Sequence, residues 1–291
     1  MSAAPLLPDV LSASGAIELR GVDIHFGDGK TAVSAVSQLD LDVAPGQFVS
    51  ILGPSGCGKS TLIGAIAGFT PLSAGELRVD GRAVTAPGPD RGVVFQHHTL
   101  FPWKTVLQNV EFGLKMRGAA PRERREIARA MLDSVGLADF AQHYPWQLSG
   151  GMQQRVSLAR VLVNRPRVTL MDEPFCALDA QTRLSMQELL LALWHDYHIT
   201  VVFVTHDVDE AIFLSDRIVV LSERPGRVKA EFSVGLPRPR TRDLLTSAAF
   251  MQLKRDALGL LFDGSGAAAS GYRGRAEANP RPSRTRLARH L

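Results

Sequence analysis

The chain has 291 residues, 45% hydrophobic and 21% charged, with a formal net charge of +4. This is an ordinary globular composition, long enough for one large domain or two small ones, and no apolar run approaches the ~18–20 residues that span a bilayer. The positive charge is local: residues 271–291 hold six arginines (Arg273, Arg275, Arg281, Arg284, Arg286, Arg289) against Glu277, a net of +5, which leaves about −1 for the rest. The folded part is therefore not basic, and no nucleic-acid partner is expected.

Residues 1–15 are expected to be unstructured, with no basic-then-apolar leader at the start. Ile17–Arg20, Leu39–Leu41 and Phe48–Leu52 read as strands, with turns at Gly27-Asp28-Gly29 and Pro45-Gly46. The last of these strands runs into a glycine-rich loop, and Ser60 to about Ala67 follows as a helix. Gly75–Val79, a turn at Asp80-Gly81 and Val93–Phe95 predict a further small set of strands. From His97 to about Gln147 the period becomes helical, over Thr105–Met116 and Arg122–Val135, broken at Gly118 and Gly136. This reads as a helical insertion, with Arg122–Arg125 on a solvated face.

A helix is expected from Met152 to about Val163, with Ser149 placed to cap it. Val168–Met171 reads as a buried strand, Ala180–His195 as a helix, Ile199–Val204 as a second buried strand, Val208–Leu214 as a short helix and Arg217–Leu221 as a strand. Strands alternating with helices predict an α/β fold with a mainly parallel, doubly covered sheet. Arg242–Phe262 looks like a short helical appendix. The Gly-, Ala-, Pro- and Arg-rich tail reads as disordered, either a solubilising extension or a weak contact for anionic lipid or nucleic acid.

Gly53-Pro54-Ser55-Gly56-Cys57-Gly58-Lys59-Ser60-Thr61 fits G-x-x-x-x-G-K-[ST] between a predicted strand and helix. Such a loop wraps phosphates with backbone N–H groups; Lys59 reaches the β- and γ-phosphates and the Ser60 hydroxyl suits Mg²⁺. Cys57 reads as a spectator within it, and a disulfide to Cys176 is not expected. The strand Val168–Met171 ends in Asp172-Glu173. Beside a phosphate loop, Asp172 would sit near the metal and Glu173 would polarise the attacking water. Gln96, after its strand, can touch metal or water, and His206 can bond a γ-phosphate oxygen and orient Glu173. Asp179 is a candidate N-cap with room for a contact across a dimer. Phe26 is either a stacking surface for adenine or a core aromatic. His97, His98, His143, His195 and His198 lack metal-ligand spacing and read as structural.

Leu148-Ser149-Gly150-Gly151-Met152-Gln153-Gln154-Arg155 then poses a problem. Its helix N-terminus is a second place for phosphate oxygens, yet the chain already has a complete phosphate loop. The simplest explanation is that the two meet across a dimer.

In order and spacing the set resembles the ATP-binding subunit of ABC transporters, over roughly Ile17 to Leu236. Gly53–Thr61 looks like the Walker A motif, Gln96 the Q-loop, Leu148–Arg155 the signature, Val168–Glu173 the Walker B motif with its catalytic Glu, Ala177–Asp179 the D-loop, and His206 the switch histidine. The resemblance implies a P-loop NTPase core with a small antiparallel β subdomain and an inserted α-helical subdomain. It implies a cassette over 16–236, the helical subdomain at about 97–165, the appendix at 237–263 and the tail at 264–291. It implies ATP and Mg²⁺ as ligands, and two chains head to tail. Each ATP would lie between one Walker A loop and the other chain's Ser149, Gly150, Gly151 and Gln153. It further implies separate permease subunits received at His97–Trp103, a solute-binding protein, and a place on the cytoplasmic face of the plasma membrane.

Leu100-Phe101-Pro102-Trp103, Glu173-Pro174-Phe175 and Leu236-Pro237-Arg238-Pro239-Arg240 are similar to the nitrate/sulfonate/taurine class of importers. Phe26 stands where Tyr is commoner, Cys176 where a smaller residue is usual, and the Arg-rich tail lies outside the pattern. An exporter or lipid-translocating ATPase is the alternative, and a soluble ABC ATPase acting on ribosomes or DNA a more distant one.

Overall fold

The computed structural model describes residues 15–27, 32–97 and 99–262. The expectations for residues 1–14, for Asp28 and Gly29, for His98 and for the Arg-rich tail fall outside the described residues. In chain order the strands are β1 (Ile17–Phe26), β2 (Val33–Val43), β3 (Phe48–Leu52), β4 (Ala74–Val79), β5 (Arg82–Ala83), β6 (Arg91–Val94), β7 (Val168–Asp172), β8 (Thr200–Thr205), β9 (Arg217–Leu221) and β10 (Val228–Ser233). The helices are α1 (Lys59–Ala67), α2 (Val106–Val110), α3 (Phe112–Met116), α4 (Pro121–Ser134), α5 (Gly150–Leu162), α6 (Ala180–Tyr197), α7 (Val208–Leu214) and α8 (Ala248–Phe262).

The strands form two sheets, ordered β10-β9-β3-β8-β7-β6 and β2-β1-β4-β5. In the larger, every neighbouring pair is parallel except β10 with β9. The smaller is antiparallel. Every residue of β3 and β8 is buried, because a parallel strand between helices has two covered faces and so reads as a continuous apolar run. Alternate residues go to separate cores. Val49, Ile51, Val202 and Val204 join α1 and the antiparallel sheet. Phe48, Leu52, Val201 and Phe203 join the cluster fed by α5, α6, α7 and α8.

Between β6 and β7 the described chain is helical. The expected helix over Thr105–Met116 is two, α2 and α3, meeting at Glu111. The hydrogen-bond ladder crosses the junction, with Glu111 N–H donating to Leu107 O and Lys115 N–H to Glu111 O, so the period persists while the helix is interrupted. α5 begins at Gly150, two residues before the expected Met152, and Ser149 caps it by accepting from the Met152 N–H at 3.3 Å. The expected grouping of Gly75–Val79 with Val93–Phe95 does not hold. The first is β4 of the antiparallel sheet, and the second belongs to β6 at the edge of the parallel one. Local pattern carries no information about which sheet a short strand joins. The appendix also divides, into a 3₁₀ stretch over Arg242–Thr246 and then α8. No described helix is long and apolar enough to cross a membrane.

Candidate nucleotide site

Parallel registry brings the motifs to one edge. Leu52 lies opposite Thr205, Asp172 opposite Val204, and Val94 opposite Met171. The residues that follow these strands, Gly53, His206, Glu173 and Gln96, therefore emerge together at the carboxyl ends of the sheet, where open α/β sheets bind ligands.

The loop from Gly53 to Gly58 turns back against the antiparallel sheet. Gly58 has φ +104°, and a Cβ there would lie 2.5 Å from Ala35 O, so only glycine fits. Cys57 is turned under the loop and buried, and burial pushes its thiol up. Its N–H donates to Pro54 O at 3.4 Å. Ser55 and Gly56 are exposed at the tip, while Thr61 is half-buried in the first turn of α1.

Lys59 is only 5% exposed. Its ammonium donates to Gly53 O at 2.8 Å and Pro54 O at 2.9 Å, and lies 3.9 Å from Glu173 Oε1. A buried cation held by its own loop's carbonyls is a site prepared for an anion. Ser60 Oγ donates to Asp172 Oδ1 at 3.0 Å. Burial pushes the Asp172 carboxyl up, against the Ser60 hydrogen bond and with the neighbouring Glu173 adding to the rise. A divalent cation beside it would reverse that trend, and the hydroxyl–carboxylate pair is the oxygen donor set that Mg²⁺ prefers.

Glu173 follows β7 with φ +44°, a left-handed conformation uncommon for this residue type. Its N–H donates to Val204 O at 3.0 Å, which holds the turn. Glu173 Oε2 lies 2.9 Å from His206 Nδ1. Strain of this kind collects at functional sites. Gln96 is exposed beyond β6, and its amide donates to Cys176 Sγ at 3.4 Å. The loop, Asp172, Glu173 and His206 thus form one cluster, with Gln96 and Cys176 beside them.

Ser149, Gly150 and Gly151 are not part of that cluster. Among the described residues no hydrogen bond or ion pair joins them to it. A Cβ on Gly151 would lie 2.6 Å from Thr182 Cγ2, whereas one on Gly150 would meet nothing within 4 Å. The Gln153 amide nitrogen is engaged locally, donating to Pro145 O and Leu148 O at 3.1 and 3.2 Å. Asp179 caps α6 by accepting from Gln181 and Thr182 N–H groups. Phe26 ends β1 and is 46% exposed, so it is not a core aromatic.

The structure adds what three further features do. Asn109 is fully buried and its amide holds the 101–105 segment by donating to Phe101 O, Lys104 O and Thr105 O. That segment presents Trp103, 70% exposed, beside a groove of about 370 Å³ lined by Thr99, Phe101, Phe112, Gly113 and Arg160. The Arg238–Arg240 segment closes α7. Arg240 donates to the carbonyls of Ile212, Phe213 and Ser215, and Arg238 to Leu214 O and Asp216. Apolar spacing does not reveal the carbonyls these polar side chains reach, which for Arg240 lie 25 to 28 residues away.

A phosphate loop, a carboxylate pair and a histidine at the carboxyl edge of a parallel sheet define a P-loop nucleotide hydrolase. A family profile described as "ABC transporter" matches residues 36–176. The chain is 52% identical to the ABC transporter ATP-binding protein MJ0412 of Methanocaldococcus jannaschii, over 79% of this chain and 85% of that one. It is 48% identical to the nitrate import ATP-binding protein NrtD of Synechocystis, over 76% and 83%. It is 48% identical to the taurine import ATP-binding protein TauB of Rhizobium johnstonii, over 80% and 90%. The dimeric post-hydrolysis structure of the ATP-binding cassette MJ0796 with ADP and Pi is similar at a TM-score of 0.67 and 37% identity, covering 76% of this chain and all of that one. The chain belongs to the ABC transporter family as an ATP-binding, ATP-hydrolysing cassette.

Proposed function

We propose that the chain energises import of a small anion of the nitrate, sulfonate or taurine type, as a head-to-tail dimer on separate permease subunits. One observation carries the dimer. The hydrolytic cluster is assembled within the chain, while Ser149 and Gly150, at the N-terminus of α5, stand apart from it with open space before Gly150. The similarity to a cassette described as dimeric supports the same reading. The nitrate and taurine importer names among the relatives support the class of cargo.

The geometry supports the following roles. The backbone N–H groups of Gly53 and of residues 55–58, with Lys59, hold the triphosphate, and Phe26 offers a face to the adenine. Ser60 and Asp172, with Gln96 beside them, would hold Mg²⁺, which supplies charge neutralisation at the β- and γ-phosphate oxygens. Glu173 accepts the proton of the attacking water. His206 fixes the Glu173 carboxylate through its 2.9 Å bond and is placed to sense the γ-phosphate. The partner copy's α5 end caps that phosphate, so hydrolysis waits on closure.

The groove beside Phe101 and Trp103 would receive the permease, with Asn109 keeping its rim in place. This puts the chain at the cytoplasmic face of the plasma membrane, with a solute-binding protein acting through the permease. The test is co-purification of the tagged chain, then ATPase assay of the reconstituted complex. Stimulation by nitrate or a sulfonate with its binding protein is the expected result. Capture with ribosomes or DNA and never a membrane protein overturns the reading.

A further inference from the structure

Directly ahead of the signature lies a second aromatic feature that the site described above does not use. Trp146 is 72% exposed and stacks on Tyr144, with ring centroids 6.3 Å apart and an interplanar angle of 11°. The segment that carries them is fixed. Tyr144 N–H donates to Gln147 Oε1 at 2.7 Å, Leu148 N–H donates to Pro145 O at 3.1 Å, and Gln153 ties Pro145 and Leu148 to α5. Pro145 and Leu148 are buried, while Gln142, Gln147 and Ser149 around the rings are exposed and polar. Two rings in polar surroundings make too small an apolar patch for a protein partner, which needs several hundred Å². They make a flat π-surface of the size a base covers.

We infer that Trp146, backed by Tyr144, stacks against the purine of the ATP held by the partner copy, and so forms a second wall of the base site opposite the chain that supplies Phe26. This rests on the composite-site reading above. Spacing supports it. From Trp146, within the 3₁₀ turn Pro145–Gln147, to Ser149 the backbone covers roughly 8 Å, taking ~2 Å per 3₁₀ residue and ~3.3 Å per extended one. That is comparable to the ribose-triphosphate arm between a purine and its γ-phosphate. If Ser149 meets the γ-phosphate, Trp146 falls at the level of the base. Phe26 is an exposed face without a described ring against it, which leaves the base open on its other side. Stacking is tolerant of base identity, so the device would favour any purine triphosphate over a base-free one.

The test uses the full chain carrying Glu173→Gln, which holds the closed state. Tryptophan emission and particle size are followed as Mg²⁺ and ATP are added, with and without Trp146→Phe. Trp103 and Trp194 contribute equally to both, so the difference isolates Trp146. The expected result is an emission change that tracks dimer formation and disappears with Trp146→Phe. In the otherwise native chain, Trp146→Ala raises KM for ATP at least about fivefold, with a smaller loss in kcat; Trp146→Phe restores it, and KM for ribose 5-triphosphate does not change. If the dimer forms but emission and KM ignore the substitutions, the stacking role falls and the composite site stands. If the Trp146→Ala effect appears only in the permease complex, Trp146 is a permease contact and the inference is wrong. If Glu173→Gln never dimerises with ATP, the composite site itself falls, and this role with it.

Discussion

Glu173 holds a left-handed backbone at the end of a strand, with one carboxylate oxygen on His206 and the other facing Lys59. A base that must be aimed at one water gains from such over-determination. Glu173→Gln is expected to cut phosphate release by about 10²–10⁴-fold while ATP binding persists and a dimer accumulates by size exclusion. The paired glycines of the signature separate packing from function in the same way. Gly151→Ala places a Cβ against Thr182 of α6, and should lower stability by about 1–3 kcal/mol through overpacking. Gly150→Ala meets no other part of the described chain within 4 Å, so its thermal midpoint should hold or rise slightly, since Ala is the better helix former. On the proposed composite site its ATPase should nevertheless fall, because the added methyl would stand where the partner's nucleotide is proposed to lie. Thermal melts and phosphate release on both variants check the contrast.

At the scale of elements, α7 is the piece that ties the histidine to the rest of the molecule. It starts two residues past His206, capped by Asp207, and its end carbonyls are held by the Arg240 guanidinium. Burial pushes that group down to about 9, which still leaves it charged at neutral pH and able to hold three carbonyls. Arg240→Met should cost roughly 2–4 kcal/mol, because the carbonyls lose a charged donor and stay buried. Denaturant melts measure this.

Glu210 on the same helix is buried against Thr205 and Gln187. Burial raises its pKa from the ordinary 4.5, against the Thr205 hydrogen bond. The folded state therefore keeps the proton more tightly than the unfolded chain does. Its contribution to stability is full below pH 4.5 and is lost as pH rises through the folded value. A downward slope of stability with pH just above that range is expected, and Glu210→Gln should remove it.

These linkages explain what was legible. The strands at Phe48–Leu52, Val168–Met171 and Ile199–Val204 and the helix over Ala180–His195 announce themselves by apolar runs and period. β10 and the division of Thr105–Met116 do not. β10 is half-buried or exposed throughout and pairs at the sheet edge, so it mixes charged residues among its apolar ones and shows no apolar run. The α2/α3 junction depends on neighbours that α5 and α4 supply.

Over the whole molecule, the proposed composite site puts its two halves on different copies of the chain. Ser149→Arg should leave ATP affinity of the isolated chain within about twofold, since Ser149 lies outside the phosphate-loop cluster. It should abolish dimer formation and reduce turnover by an oxyanion-donor-like factor of about 10²–10³. Nucleotide titration and sedimentation with and without ATP test this. Unchanged turnover would mean that each chain hydrolyses alone.

The sequence by itself determined the local chemistry: the phosphate loop, the Asp172-Glu173 pair and His206 can be read one after another, because each motif is contiguous and its backbone demands are local. Only the tertiary structure decided that β3, β7 and β8 end in register, so that Lys59, Glu173 and His206 meet within 4 Å. Only the tertiary structure decided, likewise, that Ser149 does not join them. Parallel pairing and helix packing act across more than a hundred residues, and burial of two faces of one sheet, not any short pattern, sets those distances.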